Sequence, residues 1–272
     1  MADAGTSGLD PVHVQAFGSS VDFGRTAADY AAHRAGFPPE LLDRFATLGL
    51  VKPGQRAIDV GTGTGTLARQ LAARGLAVTG IDPATALLDE ARSLDEAAAV
   101  TVDYRIGTAE HLPLGDDRAD FAIAGQCWHW FDRPAAAREM RRILRPGGTL
   151  AIAHFDWLPL AQNVVAATEA LILKHNPAWA LAGGSGIYPD WLADLTNAGF
   201  EGTETLSFDM VQPYSHVAWR GRIRASAGVR ASLDAAAVAR FDDELANLLT
   251  DFFPADPLLV PHRVWAVWGT SP

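Results

Sequence analysis

Between residues 56 and 156 the chain switches regularly between short apolar runs and longer stretches with apolar residues three or four apart. Ala57-Ile58-Asp59-Val60 predicts a short buried strand, and Leu67, Leu71 and Ala72 give helical spacing just after it. Ala77 to Ile81 predicts a second strand, followed by Leu87, Leu88, Ala91 and Leu94 on one helical face. Val100–Ile106 and Ala119–Ala124 read as a third and a fourth strand. Asp132 can cap a helix with Pro134 in its first turn, which carries Ala136, Met140, Ile143 and Leu144 on one side. Arg145-Pro146-Gly147-Gly148 stops that helix, and Thr149–Ala153 predicts a fifth strand. Strands alternating with helices of this size imply βαβ units, hence a largely parallel sheet covered on both faces.

Outside that block the rhythm breaks. Residues 9–50 are rich in aromatics and alanine, with helical stretches near Arg25–Arg34 and over Glu40–Leu48. Pro38-Pro39 marks the start of the second. Leu158–Tyr188 reads as helical and includes a glycine-rich loop at Gly183–Gly186. Asp190–Ala198 reads as a short helix, Gly202–Val211 as a strand, Ser232–Phe253 as a helix and His262–Trp268 as a closing strand. The expected organisation is a helical cap segment over 1–50, a core over 51–156, a cap insertion over 157–188, and the rest of the core with helical additions over 189–272.

Composition narrows the partners. The 272 residues are 49% apolar and 20% charged, the balance of a soluble globular protein. A net charge of −10 argues against a nucleic-acid partner. No apolar run of about 18 residues predicts a membrane span. Met1–Asp10 has neither the basic start nor the apolar core of a signal peptide and reads as a frayed tail. Cys127 is the single cysteine, which excludes an intrachain disulfide and a cysteine-based zinc cluster, and the histidines show no metal-ligand spacing. A cytoplasmic protein without a metal, monomeric or homodimeric, is the expectation.

The strongest local signal is Asp59-Val60-Gly61-Thr62-Gly63-Thr64-Gly65-Thr66, where a strand turns into a helix. Glycines there let a backbone approach a ligand closely, and the helix start offers free N–H groups. A dinucleotide fingerprint would need glycine at position 66, which is Thr66, and a phosphate-binding P-loop would need a lysine that is missing. An acid two residues before the first glycine would repel a pyrophosphate, but it suits an ammonium or a sulfonium. Asp82 ends the second strand, where an acid can take both hydroxyls of a ribose.

These pieces, with Gly107-Thr108-Ala109-Glu110-His111-Leu112-Pro113-Leu114, Trp128-His129-Trp130-Phe131-Asp132 and Arg142 to Gly148 in order, resemble the class I S-adenosylmethionine (SAM)-dependent methyltransferases of the type 11 group. The resemblance covers about 100 residues. The start, with Tyr30 to Arg34, and the C-terminal third are more loosely similar to relatives of trans-aconitate methyltransferase. It implies a Rossmann-like seven-stranded sheet of order 3-2-1-4-5-7-6 with the last strand antiparallel and a helical cap. It further implies SAM as cofactor, S-adenosylhomocysteine as product and a small-molecule acceptor. By the same resemblance Gly61, Thr62, Gly63 and Gly65 pass beside the methionine part, and Asp59 organises that loop. Asp82, followed by Pro83, holds the ribose; Thr108, Ala109 and Glu110 flank the adenine; Gln126 faces the methionine end. Tyr30 and Arg34 either close the entrance or are ordinary helix residues.

Methyl transfer asks a protein mainly to align the acceptor and exclude water, and a general base is optional. His129 and His154 are the candidate bases, the latter with Asp156 beside it; each can equally be a packed residue. Trp128, Trp130 and Trp157 can wall an acceptor site, and Arg224, close to Arg220 and Arg222, can bind an acceptor anion or sit on a salt-bridged helix face. The other reading is a SAM-binding protein of the same fold with a non-methylating activity or none.

Overall fold

The computed structural model describes residues 36–229 and 232–272. Helix α1 (Pro39–Thr47) starts on a proline, where a missing N–H costs nothing, and buries Leu41, Leu42 and Phe45. Strand β1 (Arg56–Val60) is followed by α2 (Thr66–Ala73), β2 (Ala77–Asp82), α3 (Thr85–Ala98), β3 (Asp103–Ile106) and β4 (Ala119–Gly125). A single 3₁₀ turn, Trp128–Trp130, leads to α4 (Arg133–Ile143), whose first turn is closed by Asp132 accepting the Ala135 N–H at 3.1 Å. Then come β5 (Leu144–Trp157), α5 (Val164–His175), α6 (Asp190–Asn197), β6 (Glu201–Tyr214), α7 (His216–Arg224), α8 (Ala235–Phe252) and β7 (Leu258–Thr270).

The seven strands form one sheet in the order β3-β2-β1-β4-β5-β7-β6. The neighbours from β3 to β5 pair parallel, while β5 and β7 pair antiparallel, with His154 opposite Trp265 and Trp157 opposite His262. This is the Rossmann-like order the resemblance implied. Successive strand residues supply opposite faces. Ala57, Phe121, Ile123, Ala151 and Ala153 meet Phe45, Leu67, Leu71 and Leu88 on one side. Ile58, Ala122, Ala124, Leu150 and Ile152 meet Met140, Ile143, Trp191 and Leu195 on the other. Two buried faces explain why the strands read as continuous apolar runs instead of alternating ones. Reversal of the chain from β4 towards β5, away from β1, makes the carboxyl ends of β1 and β4 the switch point where such sheets take ligands.

The chain divides into two compact units. Among the described residues, one contains 36–158, 185–212 and 261–272; the other contains 159–184, 213–229 and 232–260. In the second unit Trp219 Nε1 donates to Thr168 Oγ1 at 3.1 Å, and Lys174 pairs with Glu244 at 2.6 Å.

Several element bounds depart from the sequence expectation. The helix expected over Leu158–Tyr188 is confined to α5: Asn163 caps its start by accepting the Ala166 N–H, and Pro177 two residues past His175 prevents continuation. Strand β5 is 14 residues long because its ladder with β4 resumes at Leu144, opposite Ala119, across an irregular stretch with Gly147 at φ +78° that is held by Gly147 N to Ser271 O and Ser271 N to Gly148 O, both at 2.8 Å. Its far end, past Ala153, is extended by pairing with β7. Strand β3 is shorter than expected, beginning at Asp103. The stretch near Arg25–Arg34 lies outside the described residues. Among those described, no helix is long and apolar enough to cross a membrane.

Candidate functional site

The loop between β1 and α2 is stitched to the end of β2. The N–H groups of Gly61 and Thr62 donate to Ile81 O at 2.8 and 3.0 Å. The Gly63 N–H donates to Asp82 Oδ2 and the Ala84 N–H to Asp82 Oδ1, both at 2.9 Å. Asp59, 2% exposed, accepts from Thr62 Oγ1 at 2.7 Å and from the Ala68 N–H at 3.1 Å, tying the loop to the first turn of α2. Gly61 and Gly65 have φ of +69° and +75°, a region open to glycine at no steric cost. A side chain at Gly61 would meet Cys127 Sγ at 2.7 Å, and one at Gly65 would run into the Tyr104 hydroxyl. Cys127 itself is buried and donates to Val60 O at 3.2 Å, a packing role.

Two carboxyls therefore lie desolvated behind one loop. Burial pushes Asp59 up to about 6; the hydrogen bonds from Thr62 and Ala68 oppose the rise, and the Asp82 charge adds to it. Burial likewise raises Asp82, against its two backbone donors. A polyanion beside such a pair would be repelled, whereas a cation or a set of hydroxyl donors relieves the desolvation. A pair of carboxyl acceptors of this kind fits a cationic, hydroxyl-bearing ligand such as SAM better than a pyrophosphate. Pro83 is exposed directly after Asp82.

Further along the carboxyl edge, Thr108 is exposed and bridges to His111, while Ala109 is buried. Glu110 Oε1 accepts the Asp132 N–H at 2.9 Å, so this carboxylate also fixes the entry to α4.

At the ends of β4 and β5 the structure brings Gln126, His129 and His154 together with Asp156 and with Tyr188, a residue that no motif or spacing singles out. Gln126 is non-glycine yet has φ +61°. Its side chain spans the two strands: Oε1 accepts the Phe155 N–H at 2.5 Å and Nε2 donates to Asp156 Oδ1 at 3.2 Å. Asp156 Oδ2 lies 3.2 Å from His154 Nδ1 and accepts from the Tyr188 hydroxyl at 2.7 Å. Burial alone would raise Asp156; the charge and hydrogen bond of His154, the Tyr188 hydroxyl and the charge of His129 outweigh it and hold the carboxyl below its ordinary value. Burial and the Asp156 charge push the Tyr188 phenol far upward. His154 is 2% exposed, and its Nε2 is buried without a hydrogen-bond partner. The His129 ring stands 5.2 Å from that of His154 and 4.6 Å from Trp130, and is only half-buried.

The tryptophans part company. Trp128 is fully buried among the core residues over β4 and donates from Nε1 to Asp194 Oδ2 at 2.9 Å, where Arg133 also binds at 3.2 Å. Its indole is committed to anchoring α6, so it is not available as an acceptor wall. Trp130 and Trp157 are half-buried near the cluster and at the end of β5. Arg224 pairs with Asp242 at 3.0 Å together with Arg220, inside the second unit. Tyr30 and Arg34 lie outside the described residues.

The methyltransferase domain family matches residues 58–152, from within β1 to within β5. An uncharacterized methyltransferase of Mycobacterium tuberculosis is 38% identical over 134 residues, covering 49% of this chain and 51% of its own length. The chain thus spans about half the length of the first such relatives it matches. A ubiquinone biosynthesis O-methyltransferase of Xanthomonas campestris is 30% identical over 202 residues, covering 74% of this chain and 82% of its own. A solved structure of a candidate type II methyltransferase from Anaeromyxobacter dehalogenans superposes with a TM-score of 0.59 at 24% identity, over 88% of this chain and 98% of that one. Strand order, an acid-backed glycine loop and a relative matched over most of its length converge: the chain belongs to the methyltransferase domain family, within the class I SAM-dependent methyltransferases.

Proposed function

We propose that this protein transfers a methyl group from SAM to a small-molecule acceptor in the cytoplasm, acting as a monomer or homodimer without nucleic acid or membrane. The observation that carries the reading is the pair of buried carboxyls, Asp59 and Asp82, behind the glycine loop. When bound, SAM supplies a methyl group activated by the sulfonium, with S-adenosylhomocysteine left after transfer. Gly61, Thr62, Gly63 and Gly65 hold its methionine part, Asp82 its ribose, and Thr108, Ala109 and Glu110 its adenine.

The acceptor side is assigned to the ends of β4 and β5. Gln126 uses its side chain to fix Phe155 and Asp156, so it contributes backbone shape and the placement of Asp156. With Asp156 held as the acceptor, His154 keeps its proton on Nδ1. His129, the more exposed imidazole, takes up the proton that an O–H or N–H acceptor loses, with Trp130 beside it and Trp157, at the end of β5, as the other wall. The ionised Asp156 disfavours a polycarboxylate acceptor of the trans-aconitate type at this place.

Calorimetry with SAM, S-adenosylhomocysteine and NAD, followed by mass-spectrometric detection of S-adenosylhomocysteine in the presence of phenolic, amine and carboxylate acceptors, tests the reading. Heat with SAM and turnover with a proton-bearing acceptor are expected. Heat with NAD alone overturns the cofactor. SAM binding without consumption against any acceptor favours the non-methylating reading.

A further inference from the structure

Next to the glycine loop lies a second ionic group, Arg69 with Asp95, that methyl transfer does not use. Arg69 sits on α2, one turn past Gly65. Its guanidinium donates to Thr64 O at 3.0 Å, Gly65 O at 3.3 Å and Ala91 O at 3.4 Å, and its Nε lies 2.9 Å from Asp95 Oδ1. Asp95, on α3, is 5% exposed. Tyr104, on β3, fills the space left by the missing side chains of Gly65 and Gly80. Its phenol is pushed far upward by burial and by the adjacent Asp95 carboxylate, so it stays protonated.

We infer that Arg69, ion-paired with Asp95, is a positioning residue for the cofactor loop: its side chain pins the carbonyl of Thr64 and reinforces, at the Gly65 carbonyl, the bond its own backbone N–H already makes at 2.8 Å, and so sets the direction of the loop's N–H groups. In a trans peptide the N–H points opposite the carbonyl of the same unit. Fixing the carbonyls at 64 and 65 therefore orients the N–H groups of Gly65 and Thr66. The first is drawn to Thr62 O at 2.9 Å, and the second belongs to the free first turn of α2. A glycine loop is costly to order, because glycine has the most backbone freedom to lose. Arg69 holds this loop from behind through a planar fork that a lysine cannot reproduce. Partly buried and ion-paired, the fork loses little freedom when the ligand arrives. Preorganisation of this kind appears as ligand affinity, not as rate once the cofactor is bound.

The inference rests on the cofactor reading above and is tested so that the two fail separately. Removing Arg69 alone would strand the buried Asp95 charge. The variant of choice is therefore the double substitution Arg69→Gln with Asp95→Asn, which removes both charges together. The probes are S-adenosylhomocysteine, by calorimetry, and adenosine, by NMR titration; adenosine lacks the part that lies beside the loop. The double variant is expected to weaken S-adenosylhomocysteine at least tenfold and to leave adenosine within twofold. Arg69→Lys, which keeps the charge and can reach one carbonyl, is expected to fall between it and the parent protein, and carries the same comparison if the double variant does not fold. Unchanged affinity for S-adenosylhomocysteine overturns the positioning role. An equal loss for both ligands also overturns it, since general loosening would act on both. A parent protein that gives no heat with S-adenosylhomocysteine overturns the cofactor reading, and the positioning role with it.

Discussion

Adding one methyl group at Gly65 puts it against the Tyr104 hydroxyl, in a left-handed backbone position. The conformation alone costs a non-glycine residue roughly 1–2 kcal/mol, and the overlap adds to it. Gly65→Ala is expected to lower the urea midpoint clearly. Adding Tyr104→Phe is expected to recover the steric part of the loss and leave the backbone part. A double variant no more stable than Gly65→Ala would show that the hydroxyl is not what excludes a side chain. The sequence motif gave the positions of these glycines and the acid behind them. Their partners were not legible, because Tyr104, Cys127 and Arg69 come from other elements and carry no local signal for lying behind a loop. Glycine at 61 and at 65 makes room for the protein itself as well as for a ligand.

Among the elements, the short turn after β4 shows why periodic reasoning reaches the sheet and stops before the site. The strands of the core were legible because both-face burial leaves short apolar runs separated by helices of clear spacing, whereas their order in the sheet came from the family resemblance. A three-residue turn has no period, so nothing in Trp128-His129-Trp130 says which ring faces inward. The structure turns Trp128 inward, to Asp194 on α6. Trp128→Phe keeps most of the apolar packing and removes a hydrogen bond to a charged acceptor, which is worth about 1.5–3 kcal/mol. The expected outcome is a loss of stability in that range, measured by chemical denaturation, with the heat of SAM binding unchanged. A large loss of acceptor turnover with full stability would return Trp128 to the acceptor wall. Tyr188 was out of reach for a related reason: it lies 32 residues beyond Asp156, in the irregular chain after α5, and only the folded sheet brings its hydroxyl to that carboxylate.

For the molecule as a whole, the buried acids make stability and cofactor affinity depend on pH in opposite senses. Asp59 has a folded value of about 6, above its unfolded one, so between about pH 4 and pH 6 the folded chain binds more protons than the unfolded chain. Its contribution to stability therefore falls as pH rises through that window and levels off above it. Asp82 acts in the same direction. Asp156 is depressed, so its contribution is present above the ordinary carboxylate range and is lost as pH falls. Subtracting an Asp59→Asn variant isolates the first group, since the amide oxygen can still accept from Thr62 and Ala68. Relative to the parent, that variant is expected to gain stability from pH 4 to pH 7, on the order of 3 kcal/mol at the limit. SAM binding runs the other way. A cation is held better by the ionised carboxylate, so its dissociation constant in the parent protein should tighten as pH rises through 6. In Asp59→Asn that part of the dependence should disappear. Parallel melts and calorimetric titrations at pH 4.5 to 7.5 read both effects on the same samples. A flat difference in stability between the two proteins would mean that Asp59 is already charged at the acid end. An unchanged slope for SAM in the variant would place the cationic group away from this loop.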